Sequence, residues 1–170
     1  MLALVFVDTN VLIYADDERD ALKQPIAKMW LEKLWAERSI RTSMQVLSEY
    51  YYNVTRKARP SVSADAAWEE VQSLLALDPL PTDGHLLERG HVIERRYQLS
   101  WWDSLIVAAA QLQSCALLLT EDLQDGAQFG DVRVCNPFKH KVSEALASYR
   151  TDIPQVAPLH RPRGRPRKAA

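Results

Sequence analysis

The feature that most constrains this chain is a short, unbroken apolar run, Leu2–Val7, that stops at an acid, Asp8. So brief a run, rich in β-branched and aromatic side chains, suits a strand buried on both faces, as in a parallel sheet covered by helices. It falls far short of the ~18 apolar residues that span a bilayer, and so does Leu105–Ala110. It also has neither a basic leader nor a small-residue cleavage site. The expectation is a cytoplasmic protein with no membrane partner. Similar runs recur at Ala116–Thr120 and Val132–Cys135.

Between these runs the apolar residues recur at threes and fours, the spacing of an amphipathic helix. Leu22, Ile26, Met29, Trp30 and Leu34 predict a helix from about Asp20 to Arg38. Ile40-Arg41 reads as a brief strand, and Thr42 with Gln45 as a capping box opening a helix to Lys57. Helices follow at 63–77, 82–98 and 101–114, the last capped by Ser100, and a late one at Lys139–Tyr149. Helices alternating with buried strands predict an α/β fold around a mostly parallel sheet.

In such sheets, sites form beyond the carboxyl ends of the strands. Asp8 and Asp122 each follow a strand. Asp8 also suits the N-cap of a short apolar turn, Val11–Tyr14. Asp103, three residues after Ser100, fits a capping box and equally a ligand position in a first helical turn. Glu49 lies at the edge of the stripe made by Val46, Leu47, Tyr50 and Val54, where an acid is usually solvated. As a set, four converging carboxylates repel one another unless a divalent cation neutralises them. Oxygen donors without His or Cys favour Mg²⁺ or Mn²⁺ over zinc.

Composition excludes broad classes. Hydrophobic residues at 47% and charged residues at 25% are ordinary globular usage, while five glycines and two cysteines rule out collagen-like and disulfide-framework folds. Cys115 and Cys135 lack ligand spacing and read as small buried hydrophobes, and the four histidines also lack it. The formal net charge of −1 hides an asymmetry. Residues 151–170 set Arg161, Arg163, Arg165, Arg167 and Lys168 against Asp152, a balance of +4, and leave −5 on the remaining 150 residues. The tail is Pro-rich and reads as an extended, flexible, polyanion-seeking segment.

The segments Val5–Val11, Glu49 in Ser43–Lys57, Trp102–Ala110, Leu118–Gly126 and Val134–Phe138 together resemble a PIN domain. More narrowly, they resemble the VapC-type ribonuclease toxins of bacterial toxin–antitoxin pairs. The resemblance covers residues 1–138, leaving 139–150 for an extra helix and 151–170 for the tail. It implies a three-layer α/β/α sandwich whose Asp8, Glu49, Asp103 and Asp122 bind Mg²⁺ or Mn²⁺ for hydrolysis of an RNA phosphodiester. Asn10, Thr120 and Asp125 are possible supporting residues, Asp125 reading equally as a plain loop residue. It further implies a VapB-like antitoxin and a homodimer.

Within the tail, Arg163, Gly164, Arg165 and Arg167 resemble an AT-hook, which binds the minor groove of A/T-rich DNA; narrow grooves concentrate negative potential and accept arginines. The plainer reading is a basic tail attracted to RNA phosphates irrespective of sequence. Alternatives for the whole chain are a nucleic-acid-binding regulator with an idle body, and a DNA nuclease with the same metal site. Tyr50 joins the helix's apolar stripe, whereas Tyr52 suits an interface better than a stacked RNA base. Trp30 and Trp35 read as core or partner-binding residues.

Overall fold

The computed structural model describes residues 3–56 and 62–151. The tail from residue 152 onward, with its AT-hook-like motif, lies outside the described residues.

The apolar runs form the sheet centre. Val5–Val7 (β1) and Leu117–Leu119 (β3) are buried throughout, as strands covered on both faces must be. They pair in parallel, Val5 opposite Leu117, and β1 also takes Ile40–Arg41 (β2) in parallel. Val132–Cys135 (β5) pairs in parallel with β3. Gln128–Phe129 (β4) closes the sheet antiparallel to β5, giving the order β2-β1-β3-β5-β4. The fold is thus α/β with a mostly parallel sheet. β4 has no signal in the sequence, because two residues are too few to show an alternation.

Seven helices accompany the sheet among the described residues. They are Thr9–Asp16 (α1), Lys23–Ala36 (α2), Met44–Arg56 (α3), Ala64–Leu75 (α4), Gly84–Tyr97 (α5), Trp101–Leu112 (α6) and Val142–Thr151 (α7). What the sequence presents as a short turn after Asp8 is a full helix, α1. The Thr42–Gln45 capping box does not form. Thr42 is still committed to an extended segment, its carbonyl accepting from the Leu80 amide, so the cap passes to Ser43, whose Oγ accepts from the Val46 amide at 3.4 Å. Gln45 turns instead toward Glu49.

Trp30 is fully buried, and its indole N–H donates to the Pro137 carbonyl, tying α2 to the chain beyond β5. Burial pushes the Cys115 and Cys135 thiols up to about 12, so both act as packing groups. The parallel topology has one consequence for chemistry. The residues following β2, β1, β3 and β5 all leave the sheet at the same edge. The first turn of α6, which runs back toward the start of β3, returns to that edge.

Candidate active site

Asp8 is the centre of this edge. It caps α1 with Oδ1 accepting from the Thr9 amide at 2.7 Å, and it is only 8% exposed. Its Oδ2 accepts from the Thr120 hydroxyl at 2.7 Å and from the Asn10 amide at 3.3 Å. Asn10 Nδ2 also donates to Thr120 Oγ1 and to Asp122 Oδ2, each at 2.9 Å. The Asp122 amide returns to Thr120 Oγ1 at 3.2 Å. Strand ends more than a hundred residues apart in sequence are thereby laced into one network. On the other side, Thr9 Oγ1 donates to Glu49 Oε2 at 3.0 Å, while Gln45 holds Oε1 at 3.0 Å.

The electrostatics follow from this packing. Burial drives the Asp8 carboxyl from 3.8 up to about 6; bonds from Thr120 and Thr9 oppose the rise, and the charges of Asp122 and Glu49 add to it. Lys23, which reaches the residue after Thr120, does not relieve that repulsion, because it is engaged elsewhere. Lys23 Nζ pairs with Glu121 at 2.6 Å, donates to the Tyr14 hydroxyl at 3.0 Å and lies 4.3 Å from the Tyr14 ring centre. Asn10 Oδ1 is buried without a hydrogen-bond partner, an acceptor left over at the acidic edge.

Not every expected residue joins the network. Asp103 stays in the first turn of α6, its Oδ2 accepting from Ser100 Oγ at 2.6 Å in the capping arrangement. Topology brings it to the same edge, yet no described hydrogen bond joins it to Asp8, Glu49 or Asp122. Asp125 faces elsewhere: it accepts from the Asn136 amide at 2.9 Å and pairs with His140 at 2.7 Å. Burial raises its carboxyl, but Asn136, His140 and Lys139 outweigh burial and hold it below the usual range. It is a clamp between two loops. The Lys23–Glu121 pair is a contributor whose role the sequence does not show.

The donor set fits a hard divalent cation. Every candidate ligand is oxygen, the leftover acceptor is oxygen, and among the described residues no cation pairs with Asp8, Glu49, Asp103 or Asp122. Among the described residues no group of three or more His, Cys, Asp or Glu side chains is placed so that it could hold a metal ion by itself. Mg²⁺ does not need one, since it retains waters and takes one or two carboxylates together with substrate oxygens.

A PIN domain model matches residues 5–125, most of the chain. The chain belongs to the PIN domain family. Similar solved structures agree with this PIN fold. A toxin–antitoxin complex from Klebsiella pneumoniae has a chain 23% identical, with TM-score 0.52, covering 78% of this chain and 97% of that one. VapBC2 from Rickettsia felis, bound to a promoter DNA fragment, is 17% identical with TM-score 0.56, covering 77% and 96%. Mycobacterium tuberculosis VapC20, described as a Sarcin-Ricin loop cleaving toxin, is 20% identical with TM-score 0.52, covering 76% and 98%. No curated protein matches the chain in sequence. The PIN match takes in all four acids of the expected quartet.

Proposed function

We propose that this PIN domain protein is a Mg²⁺- or Mn²⁺-dependent endoribonuclease, the toxin of a VapBC-type toxin–antitoxin pair. The observation that carries the reading is the network on Asp8, where Thr120 and Asn10 hold two carboxylates toward a common point with Glu49 alongside. Asp8 and Asp103 are the central ligands in this reading, with Glu49 and Asp122 completing the set. The cation supplies Lewis-acid polarisation of the phosphodiester and charge neutralisation when bound. The protein's own part is preorganisation. Thr120 fixes Asp8 Oδ2, the Thr9 amide fixes Oδ1, and Gln45 with Thr9 fixes both Glu49 oxygens, so little side-chain freedom remains to be lost.

The structural neighbours with toxin–antitoxin titles support the biological setting, as does the Sarcin-Ricin loop cleavage stated for one of them. In that setting a VapB-like antitoxin silences a homodimeric toxin in the cytoplasm. The decisive experiment purifies Asp8→Asn and Asp103→Asn and follows RNA cleavage with Mg²⁺ or Mn²⁺. Each variant is expected to lose about a hundredfold or more. Cleavage at the wild-type rate by both would sink the assignment.

A further inference from the structure

Residues 121–125 follow β3 and carry Asp122, yet the backbone does little to place them. Among the described residues, none of their amides donates to a backbone carbonyl, and the Asp122 amide goes to the Thr120 side chain instead. The segment is held by side chains. Asn10 donates to Asp122 Oδ2, the Asn136 amide and His140 meet Asp125, and Lys23 pairs with Glu121 at 2.6 Å. The first contact belongs to the acidic network, and the Asp125 contacts lie three residues further on. Lys23 grips the residue between the two that face the network, Thr120 and Asp122.

Lys23 is itself well fixed. Its ammonium donates to the Tyr14 hydroxyl at 3.0 Å, lies 4.3 Å from the centre of that ring and lies 5.0 Å from the Phe138 ring centre. The two rings meet edge to face at 5.2 Å. Tyr14 sits on α1, the helix that Asp8 caps, and Lys23 opens α2. A grip on Glu121 therefore ties the Asp122 segment to the same helix that carries the central acid. The grip works against a load. Asp8, Glu49 and Asp122 repel one another, and that repulsion pushes Asp122 outward wherever no cation offsets it.

We propose that Lys23 is a positioning residue for the divalent cation: by holding Glu121 it keeps Asp122 within reach of Asp8, so that cation binding does not have to order the segment. The proposal rests on the metal-dependent reading of the site. It carries a sign that simple electrostatics reverses. A lysine near a cation site repels the cation, so removing its charge alone tightens binding. Removing the grip loosens it. The Lys23 and Glu121 side chains are 32% and 20% exposed, and a pair this open adds little to global stability. Its loss is therefore read at the site and hardly at all in the melting temperature.

The test reads Mn²⁺ binding to the full chain, without RNA, from the loss of the free-ion electron paramagnetic resonance signal. Melting curves in EDTA check that each variant is folded. Lys23→Met is expected to bind Mn²⁺ about tenfold more weakly, the lower end for losing an outer support of a metal ligand, although it sheds a positive charge. Lys23→Arg, which can still pair with Glu121, should stay within about threefold of the wild type. Tyr14→Phe changes no charge at neutral pH and removes only the hydroxyl that steadies Lys23, so a loss of about threefold is expected. RNA cleavage by Lys23→Met should recover to near the wild-type rate at saturating Mn²⁺. Unchanged or tighter Mn²⁺ binding by folded Lys23→Met overturns the proposal, as does unchanged binding by Tyr14→Phe should Lys23→Met fail to fold. Cleavage that stays lost at saturating Mn²⁺ also overturns it and assigns Lys23 a direct contact with the RNA phosphate. A wild type that binds no Mn²⁺ overturns the metal reading and this proposal together. A wild type that binds it, beside variants that bind it equally well, overturns this proposal alone.

Discussion

Asp8 illustrates how a functional side chain stands in tension with the stability of its own fold. Its carboxylate is buried beside two like charges, and the carboxyl titrates at about 6 against an ordinary 3.8. A shift of roughly two units corresponds to about 3 kcal/mol of destabilisation at neutral pH, because one unit is about 1.4 kcal/mol. Asn at this position keeps the helix cap but turns an amide toward both Thr120 Oγ1 and Asn10 Nδ2, giving back about 2 kcal/mol for two lost hydrogen bonds. Asp8→Asn should therefore stabilise the metal-free protein by about 1 kcal/mol in chemical denaturation. The sign with pH is fixed: a folded state with a raised carboxyl pKa binds the proton more tightly, so the wild type gains stability as pH falls from about 7 toward 4. Its deficit relative to Asp8→Asn should shrink over that window. A deficit that stays constant with pH would contradict the assigned burial. Asp8 and Asp122 stand out in the sequence because each follows an apolar run. The companions of Glu49 and Asp125 do not, since Thr9 lies 40 residues from Glu49 and His140 lies 15 from Asp125. Only folded geometry pairs them.

At the scale of elements, the close approach of α5 to α6 has a defined steric reason in Gly90. A Cβ at Gly90 would lie 2.7 Å from Leu105 Cδ2, and Leu105 is only 2% exposed, so it has little room to retreat. Gly90→Ala gains helix propensity of about 1 kcal/mol and meets an overpacking cost of about 1–3 kcal/mol. The net expectation is a loss of about 1 kcal/mol in thermal or urea unfolding. A stabilised variant would show that the two helices can part without cost. The long amphipathic helices were legible because their periodicity extends over enough residues to be distinctive, and the three apolar strands because their runs are unbroken. α1 was not, since after Asp8 it buries Thr9, Val11, Leu12 and Ala15 and shows too brief a stripe. The start of α3 was misread for a different reason: Thr42 has the composition of a cap, but pairing with the 80 region keeps it extended.

For the whole molecule, the division between an acidic body and a basic tail leads to a separable prediction. The candidate site is built wholly within residues 8–122, so a chain truncated after residue 151 should cleave RNA at the wild-type rate per molecule. The same truncation should abolish binding to A/T-rich duplex DNA in gel-shift assays, if the Arg-Gly-Arg-Pro segment acts as its minor-groove resemblance implies. DNA binding retained by the truncated chain would move that function into the body. The sheet order adds a consequence in time. β1 is synthesised before β3, but its central place requires β3, and Asp8 meets Thr120 and Asp122 only across more than a hundred residues. Loops that long close slowly and only once both ends exist. The acidic network is consequently among the last features of the described fold to form, later than any helix or strand that closes on local contacts.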